Sequence, residues 1–260
     1  MRPFAAALGA SLVVQVAFAV VAPVLVVEAR IGFAVAFAMV AGAAVGCGAT
    51  APTLGKTRAL GLLLTIPVLA LLAVYGGALP EVALAAAIAA LLLGAGALTG
   101  ALVGGRIEDA GHLLVVGSVT TLADLYSVLS PRGVTAQIVS NERLLGVLTI
   151  SWAMPGQDGM FPVIGLGDIV MVAMYLSAAR ALGLSLGRSI AGLAVGFAAV
   201  LGALLVFEEA VPALPFLAVG FLAANPRCLR LRPEDRRPAA VGLAVAVGVF
   251  GAGLWLGVGP

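Results

Sequence analysis

Charge is what this chain has little of. Only 10% of its 260 residues are Asp, Glu, Lys or Arg, against about 25% in an ordinary soluble domain. With 62% hydrophobic residues, there is too little polar surface to cover a globule in water. A soluble enzyme, a nucleic-acid binder and a disordered chain are excluded on that ground. Histidine is nearly missing as well: His112 is the single one, which argues against a zinc site of the usual His/Cys kind. Cys47 and Cys228 are the only cysteines, too few for a disulfide framework and without a metal-ligand pattern. No metal and no cofactor is expected.

What the chain has instead is a series of long apolar runs. A membrane helix needs about 20 such residues, and nine stretches qualify. They are about Phe4–Val27, Ile31–Ala51, Ala59–Leu79, Val82–Gly104, Gly111–Leu129, Phe161–Ala181, Ser189–Phe207, the short Val211–Ala224, and Ala239–Val258. Their length argues for helices over buried strands, and their Ala and Gly suit close packing of membrane helices. The first run is too long, and its start too weakly charged at Arg2, for a secretory signal. The expected class is an all-α polytopic membrane protein. Its parts are N-terminal scaffold helices (1–110), a core (111–224), and a basic loop with a last helix (225–260). The longest loop, about Pro131–Met160, has an apolar part from Leu144 to Trp152 that can lie in the interface. Trp152 and Trp255 suit interfacial anchors.

Positive charge sets orientation. Arg2, Lys56, Arg58, Arg106, Arg180, Arg188, Arg227, Arg230, Arg232, Arg236 and Arg237 fall on the side where the chain starts, and Arg30, Arg132 and Arg143 on the other. The N-terminus is therefore expected in the cytoplasm, and the long loop and C-terminus outside it. The arginines from 227 to 237 read as a topology anchor, with anionic lipid heads as the alternative partner.

Ionisable groups inside a bilayer are functional candidates by default. Of the 12 acidic residues, only Asp124 and Asp168 fall within apolar helices. Asp124 lies five residues before the end of its predicted helix, and Asp168 seven after the start of the next. Both are then roughly 7–11 Å from the same membrane face at the α-helical rise. Two close carboxyls in a low-dielectric site share one proton, so that one acts as base and the other as acid. That arrangement activates water for attack on a peptide bond and predicts a bell-shaped pH dependence. A hydrogen-bonded pair or a proton relay is the alternative.

The flanking residues sharpen the chemistry. Asp168 ends Gly165-Leu166-Gly167-Asp168, whose two glycines leave room for another backbone. Pro212-Ala213-Leu214 opens the eighth predicted helix. Together these resemble the GxGD and PAL motifs of the presenilin and signal-peptide-peptidase family of intramembrane aspartyl proteases, in the family's order. Asp124 sits where that family has its first catalytic aspartate. The stretch from Asp124 to Gly133, with its Ser130-Pro131-Arg132-Gly133 exit, is similar to the presenilin sequence there. The resemblance covers about Gly111–Ala224. It implies a presenilin-like fold, Asp124 and Asp168 as catalytic residues, and Gly165, Leu166, Gly167, Pro212, Ala213 and Leu214 as substrate-binding residues. The chain departs from the family in having Ala123 in place of Tyr, five predicted helices up to the first aspartate instead of six, and one more after PAL.

The resemblance implies an intramembrane endopeptidase that cuts transmembrane segments or remnant signal peptides. The expected surroundings are the lipid bilayer of a microbial plasma membrane, with no nucleic acid as partner and a second copy of the chain left open. A proton-coupled secondary transporter would also use intramembrane carboxylates and broken helices. It predicts an internal repeat, and none is visible. A prepilin-peptidase-like GxGD protease is a third reading, although PAL is not part of that pattern.

Overall fold

The computed structural model describes residues 2–51 and 75–257, with 65, 68, 71 and 72 between them. Most of the third predicted span, about Ala59–Leu79, lies outside the described residues, as do Lys56 and Arg58. Among the described residues 78% are helical. In chain order the elements are α1 (Arg2–Val21), α2 (Ala29–Thr50), α3 (Glu81–Gly104), α4 (His112–Leu129), the short α5 (Val134–Val139) and α6 (Glu142–Leu148), β1 (Thr149–Ala153), β2 (Met160–Gly165), α7 (Leu166–Ala181), α8 (Leu186–Phe207), α9 (Leu214–Ala224) and α10 (Pro233–Gly257). Five of the described helices are long and apolar enough to cross a membrane: α1 with the 3-10 turn after it, α2, α3, α4 and α8. By contrast α7 has 16 residues and α9 has 11, short of the about 20 that a straight span needs.

The helix ends follow local chemistry. Pro23 sits in a 3-10 turn at Ala22–Val24, so α1 stops before the predicted Val27, because proline restricts the residue before it and lacks a donor for a continuing helix. Glu81 begins α3, where a carboxylate favours the positive end of the helix dipole. The largest difference from expectation is at the sixth predicted helix. Phe161–Gly165 is not its first turn but most of strand β2, and α7 starts only at Leu166. Thr149, Ile150, Trp152, Phe161, Val163 and Ile164 favour a pleated surface, and Gly156 and Gly159 adopt the positive φ of the intervening turn (78° and 101°).

The chain divides into two compact units, residues 1–105 with 142–177 and residues 106–141 with 178–260. The core of the first unit is α7, where every residue from Met171 to Ser177 is buried. A helix apolar all round belongs in an interior. Small residues let its neighbours approach: a Cβ on Gly48 of α2 would lie 3.1 Å from the Ala173 backbone, and one on Gly100 of α3 would run into Val170 O and lie 2.7 Å from Met174 N. The hairpin of β1 and β2 is antiparallel, pairing Thr149 with Gly165 and Ala153 with Met160, with an irregularity between Ile150 and Ser151. Remote groups hold it. The buried Gln15 of α1 donates from Nε2 to Ser151 O (2.9 Å), the Met160 N–H donates to Glu81 Oε1 (2.7 Å), and the Gly156 N–H donates to Ala22 O (2.9 Å). Trp152 is only 1% exposed. It is a core side chain of the hairpin and not an interfacial anchor, because its strand packs against helices of the unit.

In the second unit α8 and α9 form the tightest pair. A Cβ on Gly192 would strike Gly220 O, and one on Gly220 would strike Gly192 O. Helix α10 runs along α4, with Tyr126 against Phe250 (5.9 Å between ring centres) and over Gly253. A polar clasp ties the start of α10 to the start of α4: Arg232 Nε pairs with Asp109 Oδ2 (2.9 Å), and His112 Nε2 contacts Asp235 Oδ2 (3.2 Å).

The close packing on α7 gives a clean comparison. Gly100→Val should destabilise the protein by about 1–3 kcal/mol, the usual penalty for overpacking. Gly94→Val, on the same helix with nothing within 4 Å of the new Cβ, should leave the thermal midpoint in detergent close to wild type. Equal midpoints for the two variants would show that α3 does not need this approach.

Candidate active site

Asp124 lies in the last two turns of α4, half-buried. Its Oδ2 accepts a hydrogen bond from the backbone N–H of Leu214, 2.9 Å away and 90 residues later. The Ala213 backbone interacts with the same carboxylate. The reason lies in the start of α9. The first N–H groups of any helix lack intrahelical partners, and a Ser, Thr, Asp or Asn side chain normally supplies one. Here the residue before the helix is Ala213, which has no side-chain cap, and Pro215 in the first turn has no N–H to satisfy. Asp124, reaching across from another helix of the same unit, takes the place of the missing cap. Pro212 and Ala213 precede α9, Ala213 already with helical backbone angles and its carbonyl accepting the Leu217 N–H (3.1 Å), and Leu214 is the first residue of the helix. Of the predicted site residues, the structure therefore brings Asp124, Ala213 and Leu214 together.

The exit of α4 is also built locally. Ser127 Oγ accepts the Thr135 N–H (2.9 Å) and contacts Thr135 Oγ1 (2.7 Å), which ties α5 back to α4. The chain turns at Ser130–Gly133, where the Gly133 N–H donates to Ser130 O (2.8 Å). A Cβ at Gly133 would strike Ser127 O, so the glycine of the Ser-Pro-Arg-Gly exit is required by this close approach.

Asp168 is the third residue of α7 and half-buried, in the first unit. Gly165 ends β2 and Leu166 begins α7, so the GxGD segment is a strand-to-helix junction. The two glycines differ from those of the helix pairs. A Cβ on Gly167 would meet nothing within 4 Å, and one on Gly165 would meet only Asp168 Oδ2, at 3.8 Å. Neither glycine is needed for the chain to pack on itself; each leaves open space beside Asp168. The sheet has only two strands among the described residues, so β2 has one edge outside the ladder just before the aspartate. The hairpin went unpredicted although its signal was present, in two short runs of β-forming residues around Pro155-Gly156-Gln157-Asp158-Gly159.

Other polar and ionisable residues take structural places. His112 is the first residue of α4 and belongs to the clasp with Asp235. Gln157 and Asp158 lie in the hairpin turn, half-buried and exposed respectively. Burial pushes the Cys228 thiol above its ordinary value, against the lowering effect of Arg227; a buried thiol of that kind is inert.

The cap leads to a test of stability. Asp124→Ala removes the acceptor for Leu214 N–H and should cost about 1–2 kcal/mol, the upper range for a lost cap. Asp124→Asn keeps an oxygen acceptor and should hold a thermal midpoint near wild type. If both variants fall equally, the negative charge, and not the hydrogen bond, sustains the start of α9. No family model matches this chain, and neither a curated protein nor a solved structure is similar to it.

Proposed function

We propose that this chain is an intramembrane aspartyl endopeptidase of the presenilin and signal-peptide-peptidase kind, with Asp124 and Asp168 as its catalytic carboxyls. The observation that carries the reading is the hydrogen bond from Leu214 N–H to Asp124 Oδ2. It joins the first aspartate to the PAL segment, two features that the resemblance assigns to one site and that 90 residues separate. The strand that runs into Asp168 and the open space at Gly165 and Gly167 add support. A peptide bond in a helix hides its carbonyl carbon, so a substrate must be extended to be cut. A strand edge and side-chain-free backbone suit an extended chain.

In this reading one carboxylate takes a proton from water as it attacks the scissile carbonyl carbon, and the protonated partner donates to the carbonyl oxygen. Leu214 N–H orients Asp124. Pro212 and Ala213, beside Asp124 at the start of α9, take the substrate-holding role that the resemblance gives the PAL segment. The reading includes about nine transmembrane helices, a cytoplasmic N-terminus, and a transmembrane segment or remnant signal peptide as substrate.

The test is cleavage of a labelled transmembrane peptide by the purified protein in detergent, with no ion gradient. Asp124→Asn and Asp168→Asn should each slow cleavage at least a hundredfold, roughly the scale of a lost acid or base, while the wild-type rate falls on both sides of a pH optimum. A rate unchanged in either variant would remove that aspartate from the mechanism. No cleavage of any peptide, together with substrate-driven proton uptake in vesicles, would make the chain a transporter.

A further inference from the structure

Helices α8 and α9 enclose a groove of about 670 Å³ on the surface of the second unit. It exists because the ridge between them is missing: Gly192 and Gly220 bring the two backbones into contact, and the neighbouring positions are small. Ala191, Val195 and Ala199 form one wall, and Val219 and Ala223 stand on the other. Val195 is 66% exposed and Val219 67%, so no described residue of this unit fills the space. Arg188, at one end, is the only charged residue in the lining.

That end is fixed. The buried Asn225 donates from Nδ2 to Ser189 Oγ (3.1 Å) and to Phe221 O (3.0 Å), which clasps the end of α9 to the first turn of α8. Arg188 is the neighbour of Ser189, and Arg227 follows Asn225 by two residues on the turn Pro226–Leu229. Both arginines are exposed, and neither joins an ion pair among the described residues. The groove is thus apolar along the 11 residues of α9, about 16 Å, with the unneutralised Arg188 at one end and Arg227 on the turn that follows α9. A small apolar pocket with a few convergent polar groups is the usual form of a ligand site. Basic pockets between membrane helices take anionic lipid heads, and a guanidinium matches a phosphate with two parallel hydrogen bonds.

We propose that this groove seats one anionic phospholipid, with an acyl chain between α8 and α9 and its phosphate on Arg188 and Arg227. Charge complementarity at a single end selects a lipid over an apolar helix, which has no use for the Arg188 cation there. The site is independent of the protease reading.

Native mass spectrometry of the purified protein, titrated with phosphatidylglycerol and with phosphatidylcholine, tests it. The expected result is one retained phosphatidylglycerol per chain, bound more tightly than phosphatidylcholine. Arg188→Gln with Arg227→Gln should weaken phosphatidylglycerol binding roughly thirtyfold, the sum of two surface arginines, while Arg188→Lys with Arg227→Lys should keep most of it. Val195→Trp, at an exposed position in the wall, should abolish retention of either lipid. Equal binding of the two lipids by the wild type, or no change in the double glutamine variant, would overturn the headgroup seat even if the tryptophan variant fails to fold. A folded Val195→Trp that still retains the lipid would place it elsewhere. A dimer that Val195→Trp dissolves would make the groove the seat of a second copy of this chain.

Discussion

Backbone polar groups that leave a helix or strand need hydrogen-bond partners, and where water does not reach them these must come from the protein. The details of the structure follow from that demand. Where α1 ends and the hairpin turns, Ala22 O takes the Gly156 N–H. Where β1 bends at its irregularity, Gln15 satisfies Ser151 O. Where β2 begins, Glu81 takes the Met160 N–H. Where α9 starts without a cap of its own, Asp124 takes the Leu214 N–H. In each case the group that meets the demand comes from a distant part of the sequence. Breaks in helices and strands are therefore met by remote groups, and the candidate site residues Asp124 and Leu214 are one instance of the pattern.

This also explains what could be read from residues alone. Helices α3 and α4 appear within one residue of their predicted limits, because charged residues and Pro80 punctuate long apolar runs that can only be helices. The junction at Gly165 was missed. Phe161–Gly165 is apolar and continuous with α7, and short apolar runs do not distinguish strand from buried helix. Asp124 and Asp168 were identifiable as carboxyls in apolar surroundings, and the GxGD and PAL segments by their residues. That Asp124 holds the start of α9 was not legible: spacing along a chain says nothing of a bond that spans 90 residues.

Glycine shows the same limit. Gly192 and Gly220 are needed because a Cβ would strike the facing backbone, and Gly133 because one would strike Ser127 O. Gly167 faces open space. In sequence these residues are indistinguishable among the 34 glycines of the chain. The structure separates glycines that close a contact from those that leave room for something not part of the chain.

The bond between Gln15 and Ser151 has a consequence in time. Its partners are 136 residues apart, and a ribosome adds roughly 5–20 residues each second. After Gln15 is made, about 7–27 s pass before Ser151 exists. Through that interval α1 carries a polar amide without the acceptor it holds in the folded protein. Its final position depends on a hairpin made 136 residues later, so this early helix cannot complete its packing until that hairpin exists.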